Sequence, residues 1–398
     1  AASEFFAEMI AARPSLLHAL PKNARPKPSH NYEQELTDVI APQETLADEL
    51  AALRLRWYEL LIEIGAYDAA VSEDLAEVNC QLTNLATGAA NAALFVAKRE
   101  LQRRYGPLTA NPRAAVLGLG RLGSGGMDYG SDLDVIVVYD ATAERLVNNV
   151  TEEESYARLT EYFVSALSSI TREGVLYRVD LRLRPDGQKG PLATSSKTFL
   201  SYVEKRASIW EWLAYVKLRA AAGEVEFGHR IETAARARVH QLAQRTEVRE
   251  LAAETRRVRD RLQKAKARRR HAGVNIKHGA GGMLDVYFAV RYLQLRDHVP
   301  DDGADRTTRG MLERLREAGS IDEENFRRMF AGYNLLRSID HQMRLIVGRS
   351  ATAPAVDAPA CADIARRLGY ATADQLHNEL ILRMKEIRQA YDRILAAE

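Results

Sequence analysis

The chain has 398 residues, enough for about two or three domains with their own cores. Its composition, 46% hydrophobic and 28% charged, is that of an ordinary globular protein, and a net charge of +2 gives no global field toward nucleic acid or a membrane surface. No apolar run approaches the roughly 20 residues that cross a bilayer. The two cysteines, Cys80 and Cys361, are far apart and near no histidine cluster, which excludes a disulfide framework or a zinc site and fits a reducing cytoplasm.

Ser3–Leu20 has the spacing of an amphipathic helix, and the proline-rich Pro21–Ser29 reads as an extended connector. The opening AASEFFAEMI carries acids and no basic segment, unlike a secretory signal. From Pro42 to Tyr105 the pattern is helical almost throughout, with Leu53, Trp57, Leu60, Leu61 and Ile64 on one face and Leu75, Val78, Leu82 and Leu85 on another. These stripes read as core, so residues 1–108 form a helical region that leads into a sheet.

The organising stretch is Gly118 to Asp140, GLGRLGSGGMDYGSDLDVIVVYD. Apolar runs at Ala114–Leu117 and Val135–Tyr139 predict two strands around a glycine-rich turn with room for little more than one helical turn. Asp132 and Asp134 open the second strand. Alternate residues of a strand leave the same face, so the two carboxylates stand side by side and repel unless a cation sits between them. A hard divalent cation such as magnesium suits carboxylate oxygens and accepts substrate phosphates in its remaining positions. Gly123, Ser124, Gly125 and Gly126 can bring backbone N–H groups close to those phosphates.

Gly118, Gly120 and Gly123 also spell the G-x-G-x-x-G of a dinucleotide-binding fold, with Asp140 about twenty residues later. Two features count against that reading. Gly123, Gly125, Gly126 and Gly130 are too many glycines for a crossover helix, and a buried parallel strand should not begin with two acids on one face.

Glu152–Arg172 predicts a helix with Tyr156, Leu159, Phe163, Leu167 and Ile170 on its buried face, stopped by Gly174. GVLYRVDLRLRP, Gly174–Pro185, then alternates cleanly: Val175, Tyr177, Val179, Leu181 and Leu183 on one face, Arg178, Asp180, Arg182 and Arg184 on the other. Read as an amphipathic strand, it offers Asp180 as a third metal-binding acid, with arginines for phosphate; the alternative is a solvated face with cross-strand ion pairs. Strand, turn, strand, helix and strand make an α+β sheet with a helix behind it.

Thr194–Arg219 reads as helical, with Trp210 and Trp212 as core residues and the charges on the surface. Glu247–Ala272 is a long helix whose second half is basic: Arg256, Arg257, Arg259, Arg261, Lys264, Lys266 and Arg268–Arg270. No aromatics interleave with these charges, so a solvated or interdomain helix fits better than a nucleic-acid grip. Thr307–Glu398 is helical, with breaks at Gly319 and Thr352–Ala360, and Leu315, Phe326, Phe330, Leu335, Ile339 and Leu345 fit a bundle. His341 and His377 have no partners at metal spacing.

Leu122-Gly123-Ser124 followed by Asp132-Leu133-Asp134-Val135 resembles the signature of the polymerase-β-type nucleotidyltransferase superfamily. The longer strings GLGRLGSGGMDYGSDLD, VLYRVDLRLRPDG and IKHGAGGMLDVYF resemble one branch, the glutamine-synthetase adenylyltransferase (glutamate–ammonia-ligase adenylyltransferase) family, over nearly the whole chain. The resemblance implies a polymerase-β-like sheet at 109–245, flanked by the helical region 1–108 and a C-terminal helical bundle at 246–398. It implies magnesium-dependent transfer of AMP from ATP to a tyrosine of glutamine synthetase, with two metal ions held by Asp132, Asp134 and Asp180. Gly123, Ser124, Ser131, Arg182, Arg184, Glu211, Lys217 and Arg219 are then the expected nucleotide-binding residues. Glutamine and the PII signalling protein are the implied regulators, in the cytoplasm, with no nucleic-acid or membrane partner.

Such enzymes carry two domains of this kind, one adding AMP and one removing it by phosphorolysis. The carboxylates are common to both, and the YGSDLD and GVLYRVDLRLRPDG wording favours the adding one. Within IKHGAGGMLDVYF the family pattern expects acids where Asn275 and Tyr287 stand, while Lys277 and Asp285 are kept. Those departures leave open a relative that has lost catalysis; the retained carboxylates argue for an enzyme.

Overall fold

The computed structural model describes residues 3–20, 29–70, 75–109, 111–141, 146–147, 150–267, 273–303, 305–348 and 351–396. It divides into two units: Arg13–Ala207 with Lys217–Arg238, and Ala1–Ala12 with Ser208–Val216 and Val239–Glu398.

Helix α1 (Glu4–Ala12) ends before Pro14, and a 3-10 turn follows at Pro14–Ala19. The single helix expected over Ser3–Leu20 is broken there, because proline has no N–H to continue the ladder and forces Arg13 to φ −143°. Of the expected connector Pro21–Ser29, all but Ser29 lies outside the described residues. Helix α2 (Tyr32–Ile40) is started by Asn31, whose side-chain oxygen accepts from the Gln34 N–H at 3.2 Å. The long helices α3 (Leu46–Ala70) and α4 (Leu75–Tyr105) follow, as the apolar spacing predicts. Along α4 the small residues Ala86, Ala89, Ala90, Ala93 and Ala97 are wholly buried. They let α2 come close: a β-carbon at Gly88 would sit 2.8 Å from the backbone of Tyr32.

Strand β1 (Ala114–Gly118), the single turn α5 (Gly120–Ser124) and strand β2 (Leu133–Tyr139) reproduce the predicted centre. β1 and β2 pair antiparallel, with Gly118 opposite Val135. A dinucleotide-binding crossover joins parallel strands, so the glycines here bracket a different geometry. Helix α6 (Glu152–Ser168) stops four residues short of the expected Arg172. Its last carbonyls are taken by the Arg54 guanidinium of α3, which donates to Ala166 and Ser169 at 3.2 and 2.8 Å. Ile170, expected on the buried face, is 88% exposed.

The clearest correction concerns Gly174–Pro185, expected as one amphipathic strand. Only β3 (Val179–Asp180) is a strand, paired parallel to β2 with Leu133 beside Val179 and Asp134 beside Asp180. The N–H groups of Leu176 and Tyr177 go to the Leu167 carbonyl of α6 at 3.2 and 3.1 Å, and after Asp180 the chain turns, Arg184 N–H bonding Leu181 O at 3.2 Å. Burial does not follow the alternation either: of the five apolar residues only Tyr177 is buried, while Leu176 and Arg184 beside them are buried too. Tyr177 packs against Trp57, whose ring stands edge-on to it at 5.2 Å.

The stretch expected as one helix over Thr194–Arg219 holds four elements: β4 (Ala193–Ser195), α7 (Ser196–Lys205), α8 (Ile209–Tyr215) and β5 (Arg219–Gly223). Trp212 is buried there and Trp210 is 40% exposed. The sheet runs β3-β2-β1-β5, with β4 parallel to the far half of β2. Leu133, Val135, Ile136, Val137 and Val138 are all buried, so both faces of β2 are covered beyond its acidic start. The helical region 1–108 and the sheet region 109–245 both contribute to this unit. Helix α9 (Val225–Gln244) continues the chain.

The other unit holds α1 and α8 together with α10 (Val248–Ala267), α11 (Met283–Arg296), α12 (Thr308–Glu317), α13 (Glu323–Ile346), α14 (Pro359–Arg367) and α15 (Ala373–Ala396). A small antiparallel ladder joins β6 (Val274–Asn275) to β7 (Thr352–Ala353). The basic run Arg268–Arg270 lies outside the described residues.

The IKHGAGGMLDVYF string is the tight entry to α11. Gly281 has φ +72°, and a β-carbon there would overlap the Met384 carbonyl oxygen of α15. Asp285, wholly buried, accepts from the Gly281 N–H at 2.6 Å and pairs with the equally buried Arg259 of α10. Arg259 also donates to the Gly279 carbonyl at 2.7 Å, so the pair fastens turn, α10 and α11 together. Asn275 keeps the acceptor role open to an acid at that place: its Oδ1 takes the N–H groups of Lys277 and His278 at 3.2 and 2.7 Å. The Tyr287 hydroxyl donates to the Leu213 carbonyl of α8 at 2.8 Å.

Candidate active site

Parallel register sets Asp134 directly beside Asp180, and directly registered residues of neighbouring strands leave the same face. Asp132 lies two residues before Asp134, one step outside the ladder, where the Leu133 N–H is held by the Arg178 carbonyl at 2.9 Å. All three acids are half-buried. The helical turn α5 comes up against this edge: the Leu119 N–H bonds the Asp134 carbonyl at 2.8 Å, and a β-carbon on Gly120 (φ +54°) would overlap Asp134 Oδ2.

Arg182 stands among the acids. Its Nε donates to Asp180 Oδ1 and Oδ2 at 3.0 and 2.8 Å, its Nη2 to Oδ2, and its backbone N–H to Oδ1 at 2.9 Å. The side-chain bond from Arg182, ahead of the backbone one, holds the Asp180 carboxyl below its ordinary value against the opposing effect of burial. The guanidinium is pushed above its ordinary value by Asp180 first, then by the charges of Asp134 and Asp132. All three carboxylates therefore act on one cationic head.

Among the described residues, no group of three or more His, Cys, Asp or Glu side chains is gathered closely enough to hold a metal ion as it stands. The donors nonetheless have the right chemistry for a hard divalent cation, being all carboxylate oxygen, with Asp134 and Asp180 side by side in the ladder. What occupies one of those carboxylates is Arg182.

The other residues singled out from the sequence have varied settings. Gly123 is a packing glycine, since a β-carbon would lie 2.7 and 2.8 Å from the carbonyl oxygens of Gly118 and Lys217. The Ser124 hydroxyl is buried and donates back to Gly120 O and Arg121 O at 3.2 and 3.3 Å. Ser131 shapes the loop before β2, its Oγ accepting from the Asp128 N–H at 3.1 Å. Arg184 is committed to its own loop, donating to Leu181, Gln188 and Gly190 carbonyls at 2.9, 3.2 and 3.2 Å, and burial pulls its pKa down. Arg219 begins β5 opposite Gly118, with its guanidinium 3.5 Å from where a β-carbon of Gly125 would be. Lys217, just before it, is 6% exposed. Glu211 belongs to the other unit, where its carboxylate accepts the Ser208 N–H at 2.8 Å and caps α8.

The loop that delivers the acids is anchored from several directions. Arg121 pairs with the buried Asp128 at 3.2 Å, Thr83 Oγ1 of α4 accepts the Met127 N–H at 3.1 Å, and the Tyr129 hydroxyl donates to Asp68 of α3 at 2.9 Å. Gly120, read in the sequence only as part of the G-x-G-x-x-G spacing, is the glycine that lies against Asp134. Its signal was a glycine two residues past the end of a buried strand.

Comparison with known families divides the chain in much the same place as its fold. The model of PII-uridylyltransferase matches residues 248–395. The model of glutamate–ammonia ligase adenylyltransferase matches residues 1–234, the stretch that carries the sheet, the three acids and Arg182. With more than half of its length matched and the acidic motifs inside the match, the chain belongs to the glutamate–ammonia ligase adenylyltransferase family.

Proposed function

We propose that this protein transfers AMP from ATP to a tyrosine hydroxyl of glutamine synthetase, in a magnesium-dependent reaction, and so regulates nitrogen assimilation. The observation that carries the reading is the Asp134–Asp180 register, with Asp132 two residues away, inside a chain of the adenylyltransferase family. Asp132 and Asp134 would hold two magnesium ions, and Asp180 would share the one nearer the acceptor. Magnesium bound there supplies a lowered pKa for the attacking hydroxyl and neutralises charge on the α-phosphate and the pyrophosphate leaving group.

The chain's own groups do the rest. Asp180 would draw the proton from the acceptor hydroxyl. The glycine turn of α5 brings backbone close to Asp134, with Gly123 and Ser124 in the segment that would meet the β- and γ-phosphates. Arg182, on the exposed side of Asp180, can turn its planar fork to phosphate oxygens. Arg184 supports the same loop indirectly, by gathering its carbonyls. Glutamine synthetase as acceptor follows from the family, and the match of residues 248–395 to PII-uridylyltransferase supports a regulatory link to PII, with glutamine as a second signal.

Incubation with glutamine synthetase, magnesium and ATP labelled in the α-phosphate tests the direction. Label on the synthetase is the expected result. Release of ADP from adenylylated synthetase and phosphate, with no labelling in the forward reaction, would reassign the chain to the removing activity.

A further inference from the structure

The position of Arg182 has a meaning of its own. Its fork covers both oxygens of Asp180, Nε reaching Oδ1 and Oδ2 at 3.0 and 2.8 Å, so no divalent ion can share that carboxylate in full while the fork is in place. The pair is also easily parted. The Arg182 side chain is 71% exposed and Asp180 19%, and an exposed ion pair is a weak one, screened by water on the arginine side. A locked structural pair looks different in this same molecule: Arg259 and Asp285 are both wholly buried, and Arg259 is further bonded to two carbonyls.

We propose that Arg182 is a resident counter-ion that holds Asp180 until a divalent metal displaces it, so that guanidinium and metal compete for one carboxylate. The inference rests on the metal-site reading above and adds to it a built-in competitor. Without metal, the guanidinium offsets repulsion among Asp132, Asp134 and Asp180. When metal arrives, the fork is released two residues from the carboxylate it leaves, close enough to turn to the phosphates that the metal brings with it. The backbone N–H of Arg182, at 2.9 Å from Asp180 Oδ1, keeps the carboxylate aimed meanwhile.

The test is the affinity of the full chain for Mn2+ alone, without nucleotide, from the electron paramagnetic resonance signal of free Mn2+. Arg182→Gln should bind Mn2+ about threefold to fivefold more tightly than the unaltered protein, the affinity equivalent of losing an exposed ion pair. Adding Asp180→Asn to that variant should erase the gain. Equal or weaker binding by Arg182→Gln overturns the competition while leaving the metal site standing, and a gain that survives Asp180→Asn overturns Asp180 as its locus. Failure of both the unaltered protein and Arg182→Gln to bind Mn2+ overturns the metal site itself, and the competition with it.

Discussion

Two arginine–aspartate pairs in this molecule use the same chemistry for opposite ends. Arg259 and Asp285 are wholly inaccessible, while Arg182 is 71% exposed beside Asp180. Desolvation decides the difference. A buried pair is locked because either partner alone would be a stranded charge, whereas an exposed pair exchanges partners at little cost. Family motifs contain both kinds, and the motif alone does not say which acid is structural and which is available to a ligand.

The comparison breaks most easily at the buried pair. Arg259→Met removes the buried cation of Asp285 and leaves it the part-exposed Arg388 at 3.6 Å, and should cost about 3 kcal/mol in urea unfolding. A loss below about 1 kcal/mol would mean that Arg388 or water serves Asp285 as well as Arg259 does, and that the contrast is false. Next in size is Asp180→Asn, expected to lower AMP transfer by about a hundredfold or more while unfolding free energy moves by less than about 1 kcal/mol. If stability fell instead and activity held, Asp180 would belong with Asp285. Gly281→Ala forces a β-carbon into the Met384 carbonyl at φ +72° and should destabilise by about 2 kcal/mol or more, read as a lower denaturant midpoint at constant slope. Smallest is Tyr287→Phe, which removes one hydrogen bond to Leu213 and should cost about 1 kcal/mol without touching Mn2+ affinity.

Much of the site's frame was legible in the residues. The two-residue period of strands predicts one face for Asp132 and Asp134, of which only Asp134 lies within β2, and the density of glycines between the strands foretold a single helical turn. Asp180 stood out by its alternation with apolar neighbours, yet the same alternation overstated β3, since the backbone before it bonds to α6 and the backbone after it turns. Arg182 and Arg184 are indistinguishable in that pattern. One fronts the acids and the other is folded into its loop, a difference set by the turn after Asp180, which no periodicity reports. Glu211 has a local signature, Ser208 three residues before it, that reads equally as a helix cap. Asn275 and Tyr287 look like losses against the family pattern, but each is engaged in holding the backbone near α11 or α8.

The anchors of the loop before β2 bear on how this protein can be dissected. A fragment cut to begin at β1 would carry every acid of the sheet, but it would lack Thr83 and Asp68, to which Met127 and Tyr129 are tied. The shortest working piece must therefore reach back through α4 into α3. Amide protection at Met127 would be a sensitive report on whether a trimmed version has kept its grip.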